Sequence, residues 1–164
     1  LKNIKWNYKG RSEIIMDIQK LNIDNYYKCN NIWNMNNNKE LADKFYNELK
    51  IGNRITFVYK ENNEYIGEVS LVFDMNDYDY TIPNKRVYLS RFIVKEKQRK
   101  KGIGKQLLNY VFNHAKDLGY QEISVGVDID NYVALSIYQK YGFDKIIYVG
   151  EDEQGKYLKL LKKL

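Results

Sequence analysis

The stretch that decides the fold is Gln98–Leu108, QRKKGIGKQLL. Basic and polar residues come first, then Gly102 and Gly104, and then a run with helical spacing. Glycine costs roughly 1 kcal/mol relative to alanine inside a helix, so two glycines at a helix start indicate a need for bare backbone. The N–H groups at a helix N-terminus lack intrahelical partners and, with the helix dipole, attract phosphate. The junction therefore predicts a polyphosphate ligand.

Known phosphate-binding motifs narrow the choice of ligand. A P-loop requires GxxxxGK[ST], which this stretch does not supply. The dinucleotide fingerprint GxGxxG requires a third glycine, where this chain has Leu107. The pattern that is present is RxxGxG, from Arg99 to Gly104. On these six residues alone, a lysine-rich surface turn with a glycine cap is the alternative interpretation.

The rest of the chain predicts alternating strands and helices. Helical spacing covers Lys39–Leu49, a helix from Ile103 that stops at Gly119, and a helix capped by Asp130 or Asn131 that ends at Gly142. Strands are predicted at Ile55–Tyr59, Tyr65–Phe73, Val87–Val94, Glu122–Asp128, Asp144–Gly150 and Lys156–Leu161, with Asn62-Asn63 as a hairpin turn and 74–85 as a loop.

The predicted order places a strand–helix–strand unit, with parallel strands, among antiparallel pairs. We therefore predict an α/β, α+β-like fold with a central mixed, mostly antiparallel twisted sheet and helices on both faces. The length of 164 residues, with 44% hydrophobic and 29% charged, fits a single domain over residues 1–164.

Composition also limits location and partners. The chain has no apolar run long enough for a membrane span, and we expect neither a leader nor a membrane partner. Cys29 is the single cysteine, which excludes an internal disulfide and favours a reducing, cytoplasmic setting. The net charge of +6 fits an anionic ligand or nucleic acid. Because residue 1 is Leu, we expect the natural start upstream of it.

Two segments resemble the signatures of the GNAT superfamily of N-acetyltransferases. FIVKEKQRKKGIGKQLL resembles the acetyl-coenzyme A (acetyl-CoA) signature, in which a strand ending in an apolar triplet precedes [QR]xxGx[GA] and a helix. VDIDNYVALSIYQKYGF resembles the second signature through Asn131, Ala134, Tyr138 and Gly142-Phe143. The resemblance covers residues 55–161 and implies the GNAT, or acyl-CoA N-acyltransferase, fold and an acetyl-CoA-dependent enzyme.

The resemblance also implies roles for individual residues. Backbone groups of Phe92, Ile93 and Val94 would meet the pantetheine arm as an added strand does. Asn131 would hydrogen-bond the pantetheine region, and Tyr138 would lie near the thioester sulfur as general acid. The pyrophosphate would lie against Arg99, Lys100, Lys101, Gly102, Ile103, Gly104 and Lys105. The two parallel strands would splay to leave a slot, and no metal is implied.

Two of these residues also have a purely structural interpretation. Tyr138 lies on the apolar face of a short helix, where a tyrosine is usually core, and Asn131 suits a helix cap. Cys29 is expected to be a small buried hydrophobe.

The general base stays open. Glu68, on the second hairpin strand, and Asp128, at the end of its strand, are the candidates, and either could be a solvated charge. Ser90 and Arg91 occupy the central strand where some family members carry an acid, so a water relay is the third option.

The expected reaction is transfer of acetyl to a small cationic amine such as a polyamine, or to a protein amine. The loop DMNDYDYTIPNK, residues 74–85, would suit a cationic acceptor through its acidic and aromatic residues, although a solvated surface loop is the alternative.

Two other functions stay open: an acyl-CoA-binding sensor of the same fold without turnover, and a basic nucleic-acid-binding module. The aromatic residues do not interleave with the basic ones, so nucleic acid is not the expected partner. Monomer and homodimer are both compatible with the sequence.

Overall fold

The computed structural model describes residues 16–164. The strands are β1 (Met16–Lys20), β2 (Arg54–Glu61), β3 (Glu64–Val72), β4 (Arg86–Val94), β5 (Glu122–Asp128), β6 (Lys145–Asp152) and β7 (Gly155–Lys163). The α-helices are α1 (Lys39–Lys50), α2 (Ile103–Asp117) and α3 (Tyr132–Lys140). Short 3-10 helices cover Ile23–Asn31, Asn36–Asn38 and Glu96–Gln98. Within the described range, no helix is long and apolar enough to cross a membrane.

The seven strands form one sheet in the order β1-β2-β3-β4-β5-β7-β6. The β4–β5 pair is parallel, whereas the β1–β2, β5–β7 and β6–β7 pairs are antiparallel. The prediction of a mixed, mostly antiparallel sheet is therefore confirmed. The predicted Asn62-Asn63 turn is also confirmed, since both residues have positive φ, as the tight two-residue hairpin turn requires.

Two elements escaped the sequence interpretation. β1 (MDIQK) has few apolar residues, but it pairs with β2 so that Ile18 lies opposite Tyr59. The 3-10 helix Ile23–Asn31 lacks the apolar period of an α-helix, and an Asn22 side chain caps it by accepting the Asp24 N–H. Both elements depend on tertiary contacts that a local pattern does not show.

The chain divides into two compact units, which among the described residues are 16–70 with 91–111, and 71–90 with 112–164. The first unit has a core that includes Cys29, Trp33, Phe45 and Val58. In the second unit, buried Phe143 packs against Phe112 and Tyr138, with ring centroids 5.9 and 5.4 Å away. The single-domain prediction also covers residues 1–15, which lie outside the described range, and it stays a prediction.

The C-terminus of α3 fixes the position of Tyr138. Gly142 adopts φ +92°, the Phe143 N–H donates to the Tyr138 carbonyl at 3.0 Å, and the Gly142 N–H donates to the Gln139 carbonyl at 3.1 Å. This pair of bonds is the Schellman motif, which needs a residue that tolerates the left-handed region. The turn brings Phe143 back against the Tyr138 ring.

Replacing Gly142 by alanine should destabilise the fold. A side chain in the left-handed region costs about 1–2 kcal/mol, and urea unfolding should show a loss of that size for Gly142→Ala. Ser136→Ala, on the exposed side of the same helix, should leave stability unchanged or slightly raised. Equal stability of Gly142→Ala and the parent chain would contradict the strain argument.

Candidate functional site

The start of α2 lies in the first unit and presents an open helix N-terminus. The first bond of the helical ladder runs from the Gln106 N–H to the Gly102 carbonyl at 3.2 Å. The N–H groups of Ile103, Gly104 and Lys105 precede it and, as in any helix, have no acceptor inside the helix. Ile103 has a buried side chain, so only its backbone can meet a ligand.

The two glycines of this junction serve different needs. Gly102 has φ +82°, and a Cβ there would meet nothing within 4 Å, so its backbone is open to a ligand. A Cβ at Gly104 would lie 3.0 Å from Cζ of Phe92. The sequence interpretation gave one reason for both glycines, but at Gly104 the missing side chain also makes room for the Phe92 ring.

The basic residues before α2 are mostly exposed, and two make contacts within the loop. Arg99 Nε donates to the Val94 carbonyl at 2.9 Å, and Lys101 Nζ donates to Gln98 Oε1 at 2.9 Å. Lys100 and Lys105 are exposed. Arg99 therefore braces the end of β4, and at least part of its hydrogen-bonding capacity is used there.

The parallel pairing of β4 and β5 is short. Its register comprises Arg86 with Glu122, Val87 with Ile123, and Tyr88 with Ser124. In the second unit, β4 continues beyond Tyr88 and β5 continues to Asp128 with β7 as its partner. The ladder thus ends where the resemblance implied that the strands splay.

Beside these strand ends, the second unit contains a cavity of about 440 Å³. Tyr138 and Asn131 of α3 line it together with Tyr88 of β4, Asp128 of β5, Asp152 of β6 and Lys159 of β7. Tyr138 and Asn131, which the resemblance assigned to one site, both line this cavity, whereas the sequence interpretation did not find Lys159 or Asp152.

Tyr138 is 9% exposed. Burial, with a smaller contribution from Tyr88, raises the pKa of its phenol to about 12. The hydroxyl is protonated at neutral pH, as an unperturbed phenol also is, and it can serve as a proton donor, although burial makes it a weaker acid than an exposed tyrosine. Asn131 caps α3, because its Oδ1 accepts the Ala134 N–H at 3.1 Å.

Lys159 occupies a cage of acidic and aromatic side chains. Its Nζ donates to Asp77 Oδ2 at 2.7 Å and to Asp79 Oδ2 at 3.1 Å. The same ammonium lies 4.7 Å from the Tyr80 ring centroid and 4.6 Å from that of Tyr148. Burial opposes the charged form, but the bonds and the charges of the two carboxylates outweigh it and raise the pKa of Lys159.

This cage corrects the sequence-based hypothesis for the 74–85 loop. Asp77 and Asp79 were expected to face solvent or a cationic acceptor, yet the chain's own lysine already pairs with both. Alternation along β7 places Lys159 on the same face as Tyr157, which the sequence does show. The loop that carries the partner carboxylates lies some 80 residues away in the chain, and no local sequence pattern indicates that Lys159 pairs with it.

Glu68 lies in a buried cluster of the first unit, not among solvated charges. It is 3% exposed, and its Oε1 lies 3.6 Å from Arg91 Nε. Burial raises the pKa of this carboxyl, while a hydrogen bond from the Cys29 thiol and the charge of Arg91 oppose the shift. Arg91 also stacks 3.9 Å over the Trp33 ring.

Arg91 explains why a carboxylate is buried there. It has φ +57° in the middle of β4, a conformation that costs of order 1–3 kcal/mol in a residue with a side chain. The pairing with Glu68 and the stacking on Trp33 hold that bend in the strand. Cys29 is buried as expected, but its thiol is also a donor. The other candidate base, Asp128, is exposed at the rim of the cavity.

Replacing Lys159 by methionine should release the 74–85 loop and lower stability by about 1–2 kcal/mol, allowing for the partial exposure of the two carboxylates. Burial alone would raise the pKa of Asp77, but bonds from Lys159 and the Asp79 N–H hold it below its usual range. A depressed carboxyl contributes stability above its unfolded pKa, which is lost as pH falls through its folded pKa. The pKa of Lys159 is raised in the folded chain. Its ion pairs therefore contribute stability below the unfolded pKa of lysine, and this stability is lost as pH rises through the folded pKa.

The melting-temperature difference between the parent chain and Lys159→Met should therefore be level from about pH 5 to pH 9 and narrow below about pH 4. Lys163→Met, an exposed position on the same strand, serves as the control and should show no such difference. A gap independent of pH down to about pH 2 would show that the ion pairs are not its cause.

Comparison with known proteins places the chain in a family. The model of the Acetyltransferase (GNAT) family matches residues 16–143. N-alpha-acetyltransferase 50 of Danio rerio is 32% identical over 115 residues, which cover 60% of this chain and 68% of that protein. The spermine/spermidine N(1)-acetyltransferase of Bacillus subtilis is 34% identical over 68 residues, which cover 41% of this chain and 45% of that protein. The match thus spans less than half of the latter relative.

Solved structures confirm the predicted fold. A GNAT family acetyltransferase from Elizabethkingia anophelis with acetyl-CoA bound superposes with a TM-score of 0.70 at 23% identity, covering 91% of this chain and 98% of that one. The PaiA N-acetyltransferase of Thermoplasma acidophilum in complex with coenzyme A superposes with a TM-score of 0.68 at 22% identity, and the match covers 91% of this chain and 99% of that one. With the family model matched over most of its length, this chain belongs to the acetyltransferase (GNAT) family, a family of acyltransferase enzymes.

Proposed function

We propose that this chain is an N-acetyltransferase that passes the acetyl group of acetyl-CoA directly to an amine, either a small cationic amine such as a polyamine or a protein amine. The observation that carries the proposal is Tyr138, a buried phenol that lines a cavity and is protonated at neutral pH. A proton donor at such a place suits the expulsion of a thiolate. The N-acetyltransferase activities of the similar proteins from Bacillus subtilis and Danio rerio support the same reaction.

The start of α2 fits the phosphates of acetyl-CoA. Its first turn contains no acidic residue but does contain Lys105, and Lys100 and Lys101 precede it closely. Positive side chains near the positive end of a helix dipole are unfavourable by about 0.3–1 kcal/mol each, and a bound anion reverses that sign. The backbone N–H groups of Ile103, Gly104 and Lys105, with the Lys100 side chain, are proposed to hold the pyrophosphate.

The reaction needs a neutral amine and a protonated leaving group. A lysine-like amine with a pKa of about 10.4 is only about 0.04% neutral at pH 7, so a proton acceptor must assist. Acetyl-CoA supplies the acetyl group as a thioester. Tyr138 holds the proton that the departing sulfur takes up. We propose that Asp128, at the rim of the cavity, accepts the amine proton through water.

Glu68 is the less suitable base. Its carboxylate contacts Arg91 and the Cys29 thiol inside the first unit, and a proton would have to reach it through that packing. We propose that Glu68 instead positions Arg91 and, with it, the end of β4.

Tyr138→Phe should lower kcat by about a hundredfold, since general acid catalysis contributes about 10²–10⁴, while the Kd for acetyl-CoA changes less than about threefold. Thiol release with a panel of amines gives kcat, and calorimetry gives Kd. Tyr132→Phe, on the same helix but 73% exposed, is the matched control and should behave like the parent chain. Unchanged kcat in Tyr138→Phe would remove it from the acid role. No acetyl-CoA binding and no thiol release with any amine would overturn the proposed function.

Lys100→Gln combined with Lys105→Gln should weaken acetyl-CoA binding about tenfold at low salt, since two charges near phosphate are lost. The same pair should not affect S-acetylpantetheine, which lacks the pyrophosphate and the nucleotide. Lys116→Gln, near the other end of α2, controls for net charge. An equal loss of affinity for both thioesters would show that these lysines act on the fold and not on phosphate.

A further inference from the structure

One face of the β5–β7–β6 ladder carries the cavity. Cross-strand pairing sets Gly126 opposite Lys159 and Asp128 opposite Tyr157. On the other side of β7, Gly150 pairs with Tyr157. Because side chains alternate along a strand, Asp152 shares the face of Gly150. Asp128 and Asp152 therefore lie on one face of the sheet, on either side of the strand that carries Tyr157.

The aromatic wall of this face is built around the two glycines. A Cβ at Gly126 would lie 2.6 Å from Oη of Tyr80, and one at Gly150 would overlap the Tyr157 ring. The rings thus occupy the space that ordinary side chains would fill. Tyr80, Tyr88, Tyr138 and Tyr157 all line the cavity, which supplies π-faces of the kind that attract cations.

The charge of the cavity is negative. Asp77, Asp128 and Asp152 line it with a single ammonium, that of Lys159, and Asp79 also pairs with that ammonium from outside the lining. Lys159 therefore donates two hydrogen bonds to carboxylates of the loop. Among the ion pairs of residues 16–164, none involves Asp128 or Asp152, and both are exposed.

We infer that the acceptor is a small amine with a second cationic group, such as a linear diamine or polyamine; this rests on the proposed function. One amine lies beside Tyr138, and Asp128 and Asp152 hold the second ammonium against the Tyr157 ring. The volume of about 440 Å³ is within the range of sites for small molecules. The cage of Lys159 already shows this face pairing an ammonium with carboxylates and tyrosine rings.

Calorimetric titration tests this inference independently of turnover. 1,4-Diaminobutane is compared with n-butylamine, with and without coenzyme A, and should bind at least about tenfold more tightly, as expected for a second ammonium in contact with two carboxylates. Asp128→Asn and Asp152→Asn should each reduce that preference about three- to fivefold. Asparagine retains the Oδ1 that accepts the Gln154 N–H at position 152, so the turn is kept.

Matched control variants distinguish the effect of Asp128 and Asp152 from the effect of removing any negative charge near the cavity. Asp130→Asn and Glu153→Gln change exposed acids close in sequence that do not line the cavity, and the diamine preference should stay unchanged. A proton-accepting role of Asp128 acts on turnover of every amine, so it does not alter the ratio of diamine to monoamine binding.

Equal binding of diamine and monoamine would overturn the inference, as would a preference that neither Asp128→Asn nor Asp152→Asn reduces. Tighter binding of a short peptide with one free N-terminal amine than of the diamine would also overturn it, in favour of a protein amine. Diamine binding that depends on Asp128 and Asp152, without acetyl-CoA binding or thiol release, would overturn the proposed function and with it the role of the diamine as acceptor. Acetyl-CoA binding and thiol release without a diamine preference would overturn this inference alone.

Discussion

The three-residue parallel ladder between β4 and β5 is the constraint on which the candidate site depends. Backbone N–H and C=O groups must be paired wherever they are buried, and the strand pairing between β4 and β5 stops at Tyr88 and Ser124. β7 pairs with β5 along its whole length, but on the edge of β5 opposite to β4. At the end of β4, the Lys95 N–H donates to Ile66 and the Val94 carbonyl accepts from Arg99. Ile66 belongs to β3, on the edge of β4 away from β5, so the bond from Lys95 extends the β3 side of the strand, whereas the Arg99 side chain takes the last carbonyl of β4.

A buried ion pair supports the bend in β4. Arg91 has a left-handed backbone conformation, and Glu68 and the Trp33 ring contact its guanidinium from within the first unit. Burying such a pair is costly when either partner is removed. The carboxylate that looked like a general base in the sequence is therefore better understood as the counter-ion of a strained strand residue.

Sequence patterns predicted what depends on neighbours along the chain. The helices, the hairpin turn and the glycine junction follow from periodicity, capping and positive φ, and the Asn131 and Tyr138 pair follows from a motif on one helix. The patterns failed where partners are distant in sequence. Lys159 and its acidic partners are about 80 residues apart, and the burial of Glu68 depends on Cys29 and Arg91. At Gly104, the packing against Phe92 is invisible in the hexapeptide.

The cage around Lys159 has a chemical consequence for an acyltransferase. Lys159 lines the cavity in which we propose that the acceptor amine binds, and a neutral lysine there would compete for any activated acyl group brought close to it. Two carboxylates and a raised pKa keep this nitrogen protonated, and a protonated nitrogen has no lone pair to offer. On the proposed function, the acidic and aromatic groups around the cavity thus also keep Lys159 from acting as a substrate.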